Sequence, residues 1–221
     1  MVAIDQDLGP SQNGHLAPHR PQAWMLIGAI AVLLSAAPWF AQGFADNGLR
    51  LGSEFAWRFT FLIYFLAIIA GPMARLMPSA ALRRLCEERR QLIWGFCASF
   101  AVYLFGLLLP NLLLPAGPDN EGLTGGMMIF AVFGSALVGI IAFAARRDVA
   151  QILGEKARAT ILGVGLSTFW LTYSLSGLSH INGPHRPDLF YGTSLVFMIV
   201  ALLLRFADCM AAKIRGRREY I

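Results

Sequence analysis

The stretch FAWRFTFLIYFLAIIAGPMARLMPSAALRRLCEERRQLIWGFCASFAVYLFGLLLP, residues 55–110, decides the fold. It holds two long apolar runs, 55–77 and 91–114, the second continuing past the quoted stretch, separated by a short charged segment. Each run meets the length of about 20 residues that a helix needs to cross the hydrocarbon core. Between them, Ser79 stands where an N-cap would start a helix. Leu82, Leu85 and Cys86 then recur at i, i+3 and i+4, which makes one apolar face. Arg83–Glu87 and Arg84–Glu88 have the spacing of ion pairs along a helix. The whole therefore reads as span, amphipathic surface helix, span.

Four more runs of similar length follow the same rule, at residues 23–42, 123–145, 159–178 and 189–208. Of the 221 residues, 57% are hydrophobic and 14% charged, against roughly 25% charged in a soluble domain. The mean hydropathy is +0.59. The expectation is an all-α, polytopic membrane protein: a six-helix transmembrane bundle over residues 23–209. A polar N-terminal tail (1–22) is expected to be disordered, and a basic tail (210–221) to lie in the cytoplasm. The composition leaves no room for a separate nucleotide, flavin or nucleic-acid domain. The net charge of +5 does not point to nucleic acid, because the basic residues fall in loops that alternate with acidic or neutral ones.

That alternation predicts the topology. Arg75, Arg83, Arg84, Arg89 and Arg90 surround the second connection. Arg146, Arg147, Lys156 and Arg158 surround the fourth, and Lys213, Arg215, Arg217 and Arg218 the C-terminal tail. The other three connections are acidic or balanced. Positive segments stay in the cytoplasm, so six crossings place both termini there. Trp24, Trp39, Trp57 and Trp94 are expected at the interface and Trp170 between helices. Small residues four apart (Gly122/Gly126, Ser135/Gly139, Ala159/Gly163) mark expected close helix approaches. Arg205 and Asp208, three apart, are expected to pair on one helix face.

Chemistry-bearing residues are sparse. The histidines are His15, His19, His180 and His185, and none lies in a span. Cys86, Cys97 and Cys209 form no metal motif and read as packing residues. No chain of ionisable residues crosses the midplane, which argues against a proton path. Gly134-Ser135-Ala136 cannot work as an intramembrane serine nucleophile without a helix-borne histidine to activate it.

The 55–110 stretch resembles the second and third spans of the ferric reductase-like transmembrane domain family. That family includes the haem membrane subunit of the bacterial periplasmic methionine-sulfoxide reductase system. The likeness rests on the Gly71-Pro72 and Arg75-Leu76 exit and on Arg89-Arg90 leading into Leu92-Ile93-Trp94. It continues in LTGGMMIFAVFGSALVGIIAFAARRDVAQILGEKARATILGVGLSTFWLTYSLSGL, residues 123–178, through Thr124-Gly125-Gly126 and Leu153-Gly154, and covers roughly 45–207. The resemblance implies a bacterial inner-membrane protein and haem-ligand histidines on the third and fifth spans. Here Phe100, Tyr103 and Leu162 stand at those positions, bulky enough to fill the space of a porphyrin.

The expectation that follows is a haem-free accessory or scaffold subunit of a membrane complex, with lipid and a protein partner around it, no catalytic residue and no metal. The alternative is a membrane electron-transfer protein that carries haem b on unusual ligands, or a quinone. His180 and His185 in the outer loop are then the candidate ligands. A third reading is a small-molecule carrier, for which Ser167, Thr168, Thr172, Tyr173 and Ser174 supply a polar stripe on the fifth span.

Overall fold

A computed structural model describes residues 23–42, 46–77, 79–113, 125–181 and 189–218. The tail 1–22 with His15 and His19, the outer-loop His185 and the His180 side chain lie outside the described residues. Among the described residues every element is an α-helix: α1 (Ala23–Gln42), α2 (Asp46–Leu76), α3 (Ala80–Glu87), α4 (Arg89–Leu113), α5 (Gly125–Ala144), α6 (Arg147–Leu153), α7 (Glu155–Ile181) and α8 (Leu189–Arg218). Five of them, α1, α2, α4, α7 and α8, are long and apolar enough to cross a membrane. On α5 the apolar stretch Ile129–Ala144 is shorter than that criterion. This is the build of a multi-pass helical membrane protein.

The long helices are arranged as a ring. α2 packs on α4, α4 on α5, α5 on α7, α7 on α8, and α8 returns to α2, while α1 sits outside against α2 and α4. Burial follows that order. Over its apolar window α2 is 56% buried, whereas α1 is 17% and α8 11% buried, so these two present most of their surface outward. Exposed Leu, Ile, Val and Phe on their outer faces suit lipid.

All the basic segments meet at one end of the bundle. Trp24, at the start of α1, touches Trp94, near the start of α4, with ring centroids 6.1 Å apart. Arg75, at the end of α2, grips Asp208 on α8 through three N···O contacts of 2.6–3.1 Å. Arg158, on the first turn of α7, donates to the Ala144 carbonyl at the end of α5 (2.9 Å), satisfying an acceptor that the helix end leaves open. Arg89 reaches from α4 to the Ala67 carbonyl of α2, 3.1 Å away, in the turn before Pro72, a residue that can donate no helix bond. Ser79 caps α3 as expected, its hydroxyl accepting from the Leu82 amide at 3.2 Å.

Several local expectations are corrected. Arg205 does not pair with Asp208, because the bidentate Arg75 occupies both carboxylate oxygens. Arg83 and Arg84 form no ion pair among the described residues and stay exposed. α2 starts at Asp46 rather than near 55, its first turns carrying the buried Leu49 and Gly52, which lies close against Ser35 and Trp39 of α1. That extension carries Trp57 inward, to 8% exposure in the core rather than at an interface. Gly139 meets no atom within 4 Å, so it marks no close approach. A short helix, α6, fills the fourth connection, and Gly154 after it has φ 80°, a left-handed turn into α7 that favours glycine.

Candidate functional site

The middle of the ring is built from aromatic side chains set at helical spacing. α2 supplies Trp57, Phe61 and Tyr64, and α4 supplies Phe96, Phe100 and Tyr103, each set at i, i+4 and i+7. α7 supplies Phe169 and Tyr173, one turn apart, and α5 supplies Phe130. These positions point to one side of each helix, the side that faces the ring's interior.

Phe100 occupies the centre and is fully buried. Its ring lies 5.0 Å from Phe169, 5.7 Å from Tyr103, 6.0 Å from Phe96 and 6.2 Å from Phe130, centroid to centroid. Gly134 on α5 makes room for it, since a Cβ there would come within 3.0 Å of the Phe100 ring. α4 and α7 lie across the ring from each other, and Phe96, Phe100 and Phe169 bridge the space between them. Tyr103 packs on Trp57 at 4.9 Å, and Trp57 packs on Tyr173 at 4.4 Å.

Of the three positions that the resemblance singles out, Phe100 and Tyr103 come together and Leu162 does not join them. Leu162 is half-buried on α7, seven residues before Phe169, or about 10 Å along the helix. The α7 residue whose ring meets Phe100 is Phe169, and Tyr173, one turn on, meets Trp57, Phe61 and Tyr64 of α2 instead. Sequence reasoning missed Phe61, Tyr64, Phe96 and Phe169, although their i, i+4, i+7 repeat was the available signal.

The hydroxyls in this centre divide into two kinds. Tyr64 donates across the ring to the Leu166 carbonyl of α7 at 2.5 Å, and Trp170 donates to the Met198 carbonyl of α8 at 3.0 Å. Trp170 thus packs between α7 and α8, as expected. The Tyr173 hydroxyl and Ser174 Oγ are buried with no hydrogen-bond partner among the described residues. On the polar stripe, Thr168 and Thr172 bond back to Val164 and Thr168 carbonyls of their own helix, at 3.0 Å each. Ser135 does the same, donating to Ala131 at 2.6 Å, which leaves it no catalytic geometry.

A paired substitution tests that division. Tyr64→Phe should lower stability by about 1–2 kcal/mol, because it strands a buried interhelical contact. Tyr173→Phe removes a hydroxyl with no partner and should be neutral or stabilising by up to about 1 kcal/mol. Unfolding by sodium dodecyl sulfate in mixed micelles reads both. A Tyr173→Phe loss as large as that of Tyr64→Phe would mean the hydroxyl has a partner in the working protein.

Asp148 on α6 is held below its usual carboxylate range, first by the hydrogen bond from Arg146 and also by that guanidinium's charge. Among the described residues, no three His, Cys, Asp or Glu side chains gather as metal ligands. The three cysteines are free thiols.

Compared with family models, curated proteins and solved structures, this chain matches none of them.

Proposed function

We propose that this chain is a haem-free, six-span member of the ferric reductase-like fold that serves as an accessory or scaffold subunit of a bacterial inner-membrane complex, with both termini cytoplasmic. The supporting observation is Phe100. It stands at a family ligand position, and its ring and those of Phe96, Phe130 and Phe169 occupy the middle of the bundle. A porphyrin would have to displace several close-packed rings to enter. A protein with an interior so occupied acts through its surface. Here that surface is lipid-facing helix and a strongly basic end, which suits holding a partner more than moving electrons or solutes. The collection of Arg75, Arg89, Arg146 and Arg158 at one end supports the cytoplasmic assignment of that end. The fourth span of the six is then α5, apolar along Ile129–Ala144.

The test is the absorption spectrum of protein purified in detergent from haem-replete cells, oxidised and then reduced with dithionite. The expected spectrum is featureless above the protein band, and crosslinking in the intact membrane should trap a protein partner. A Soret band with α-bands that sharpen on reduction would overturn the haem-free reading. Electron transfer, through haem b on ligands such as His180 and His185, would replace it.

A further inference from the structure

The carboxylates at the basic end are distributed unevenly. Asp208 is taken by Arg75, Asp148 by Arg146 and Glu155 by Arg158, each at 2.6–2.8 Å. Among the cations with no ion pair among the described residues are three along the seam between α7 and α8. Arg205, a turn deeper in α8 than Asp208, has a single side-chain hydrogen bond among the described residues, a long one of 3.3 Å to Ser167 on α7. Lys213 lies two turns beyond Arg205 on α8 and is exposed. On α7, Lys156, Thr160 and Ser167 fall at i, i+4 and i+11, a single stripe about 16 Å long, and all three are exposed. The two helices pack against each other, so the seam carries cations at its mouth, hydroxyls along its length and a guanidinium at its top. Leu202, 50% exposed, stands one turn above Arg205 and supplies an apolar wall.

A guanidinium at that depth in a membrane helix calls for an anion or a route to water. Among the described residues no carboxylate pairs with Arg205, which keeps N–H donors to spare after bonding Ser167. We propose that the α7–α8 seam binds an anionic phospholipid of the adjacent leaflet. Its phosphate sits at Arg205 and Ser167, an acyl chain runs past Leu202, and Lys156 and Lys213 draw anionic lipid to the seam's mouth by their charge. Arg83 and Arg84 are also without an ion pair among the described residues, but they stand exposed on the short surface helix α3, whereas Arg205 is half-buried in the bundle. The proposal rests on the membrane-spanning reading but not on the absence of haem, so a Soret band would leave it standing.

The experiment uses the full chain in neutral detergent, titrated with phosphatidylglycerol or phosphatidylcholine and read by native mass spectrometry and by the melting midpoint. Phosphatidylglycerol should be retained in preference and should raise the midpoint, with the preference shrinking at high salt. Arg205→Gln keeps a donor for Ser167 but removes the charge, and should cut the preference at least fivefold, in line with one lost cation near an anionic surface. If that variant fails to fold, the exposed pair Lys156→Gln/Lys213→Gln should give a reduction of the same order. Arg58→Gln, at the opposite end, should leave the preference unchanged. Equal retention of both lipids overturns the proposal. So does an undiminished preference in Arg205→Gln, or a protein partner held at the seam in place of lipid.

Discussion

Phe100→Ala is expected to lower stability by about 2–4 kcal/mol, the largest loss of any single truncation in the bundle. In a soluble core, deleting a buried phenylalanine ring costs about 3–5 kcal/mol, part of it transfer from water and part of it the cavity left behind. In a membrane the separated helices still lie in lipid, so the transfer part shrinks while the packing part remains. Phe100 is fully buried and touches rings from α4, α5 and α7, so the loss is felt on three sides of the ring. Its partner Gly134 gives a sharper test. Gly134→Ala alone should destabilise, because the new Cβ would come within 3.0 Å of the Phe100 ring. In the Phe100→Ala background the same methyl enters empty space and should be neutral or stabilising. A double-mutant cycle should therefore show coupling of about 1 kcal/mol or more. Additive losses would mean that Phe100 does not press on α5, and the reading of a filled centre would fail with it.

That centre was only partly legible in the sequence. The spans were legible because lipid imposes one requirement on every residue of a crossing helix: its backbone must bond internally and its side chains must be apolar. Runs 23–42 and 91–114 could therefore be delimited closely by composition, whereas α8 continues past 208 to Arg218. Where a helix leaves lipid, the requirement lapses and packing takes over. Asp46, Asn47 and Gly48 are poor helix formers, yet α2 begins there, with Leu49 buried and Gly52 close against α1 in its first turns. Composition carries no trace of that contact.

Side-chain partners were harder still, because spacing along one helix says nothing of competition from another. Arg205 and Asp208 have the right separation for a pair, but Arg75 offers Asp208 a bidentate grip from α2. Arg83 and Glu87 have it too, and remain apart. The aromatic centre itself was legible in principle, since 57/61/64 and 96/100/103 share one repeat. A hydrophobic helix in lipid is apolar all round, however, so the face that turns inward is marked by ring size rather than by polarity. Leu162, by contrast, was placed by counting from a motif, and the helix carries it about two turns away from the residues that meet Phe100.

The attachment of α1 depends on a close approach, and Gly52→Leu is expected to open it. α1 lies outside the ring with 17% of its apolar window buried, and its inward stripe is Ala31, Ser35 and Pro38. Gly52 of α2 sits directly under that stripe. A Cβ at Gly52 would collide with the Ser35 carbonyl and the Trp39 indole nitrogen. The carbonyl belongs to helix backbone and cannot swing aside, so α1 as a whole must move. Overpacking of this kind typically costs about 1–3 kcal/mol, and α1 can relieve it by shifting into lipid without exposing apolar surface to water. The expected result is therefore local: α1 separates while the five-helix ring keeps its melting midpoint. Gly95 makes a second close approach: its Cβ would meet Ile27 Cδ1 at 2.6 Å, Cγ2 at 2.9 Å and Cβ at 3.1 Å. A β-branched side chain cannot swing those inner atoms aside, so Gly95→Ala should also displace α1. The readout is an engineered disulfide, Ile27→Cys with Gly95→Cys, which removes Ile27 Cδ1 and Cγ2 and whose Cβ atoms, 3.1 Å apart, need to part by only about half an ångström to bridge on mild oxidation. Its yield should drop sharply when Gly52→Leu is added and stay high with Gly28→Ala, where the added Cβ makes only an ordinary 3.4 Å contact with Ala98. An undiminished yield in Gly52→Leu would show that α1 is held by something other than the close approach at Gly52.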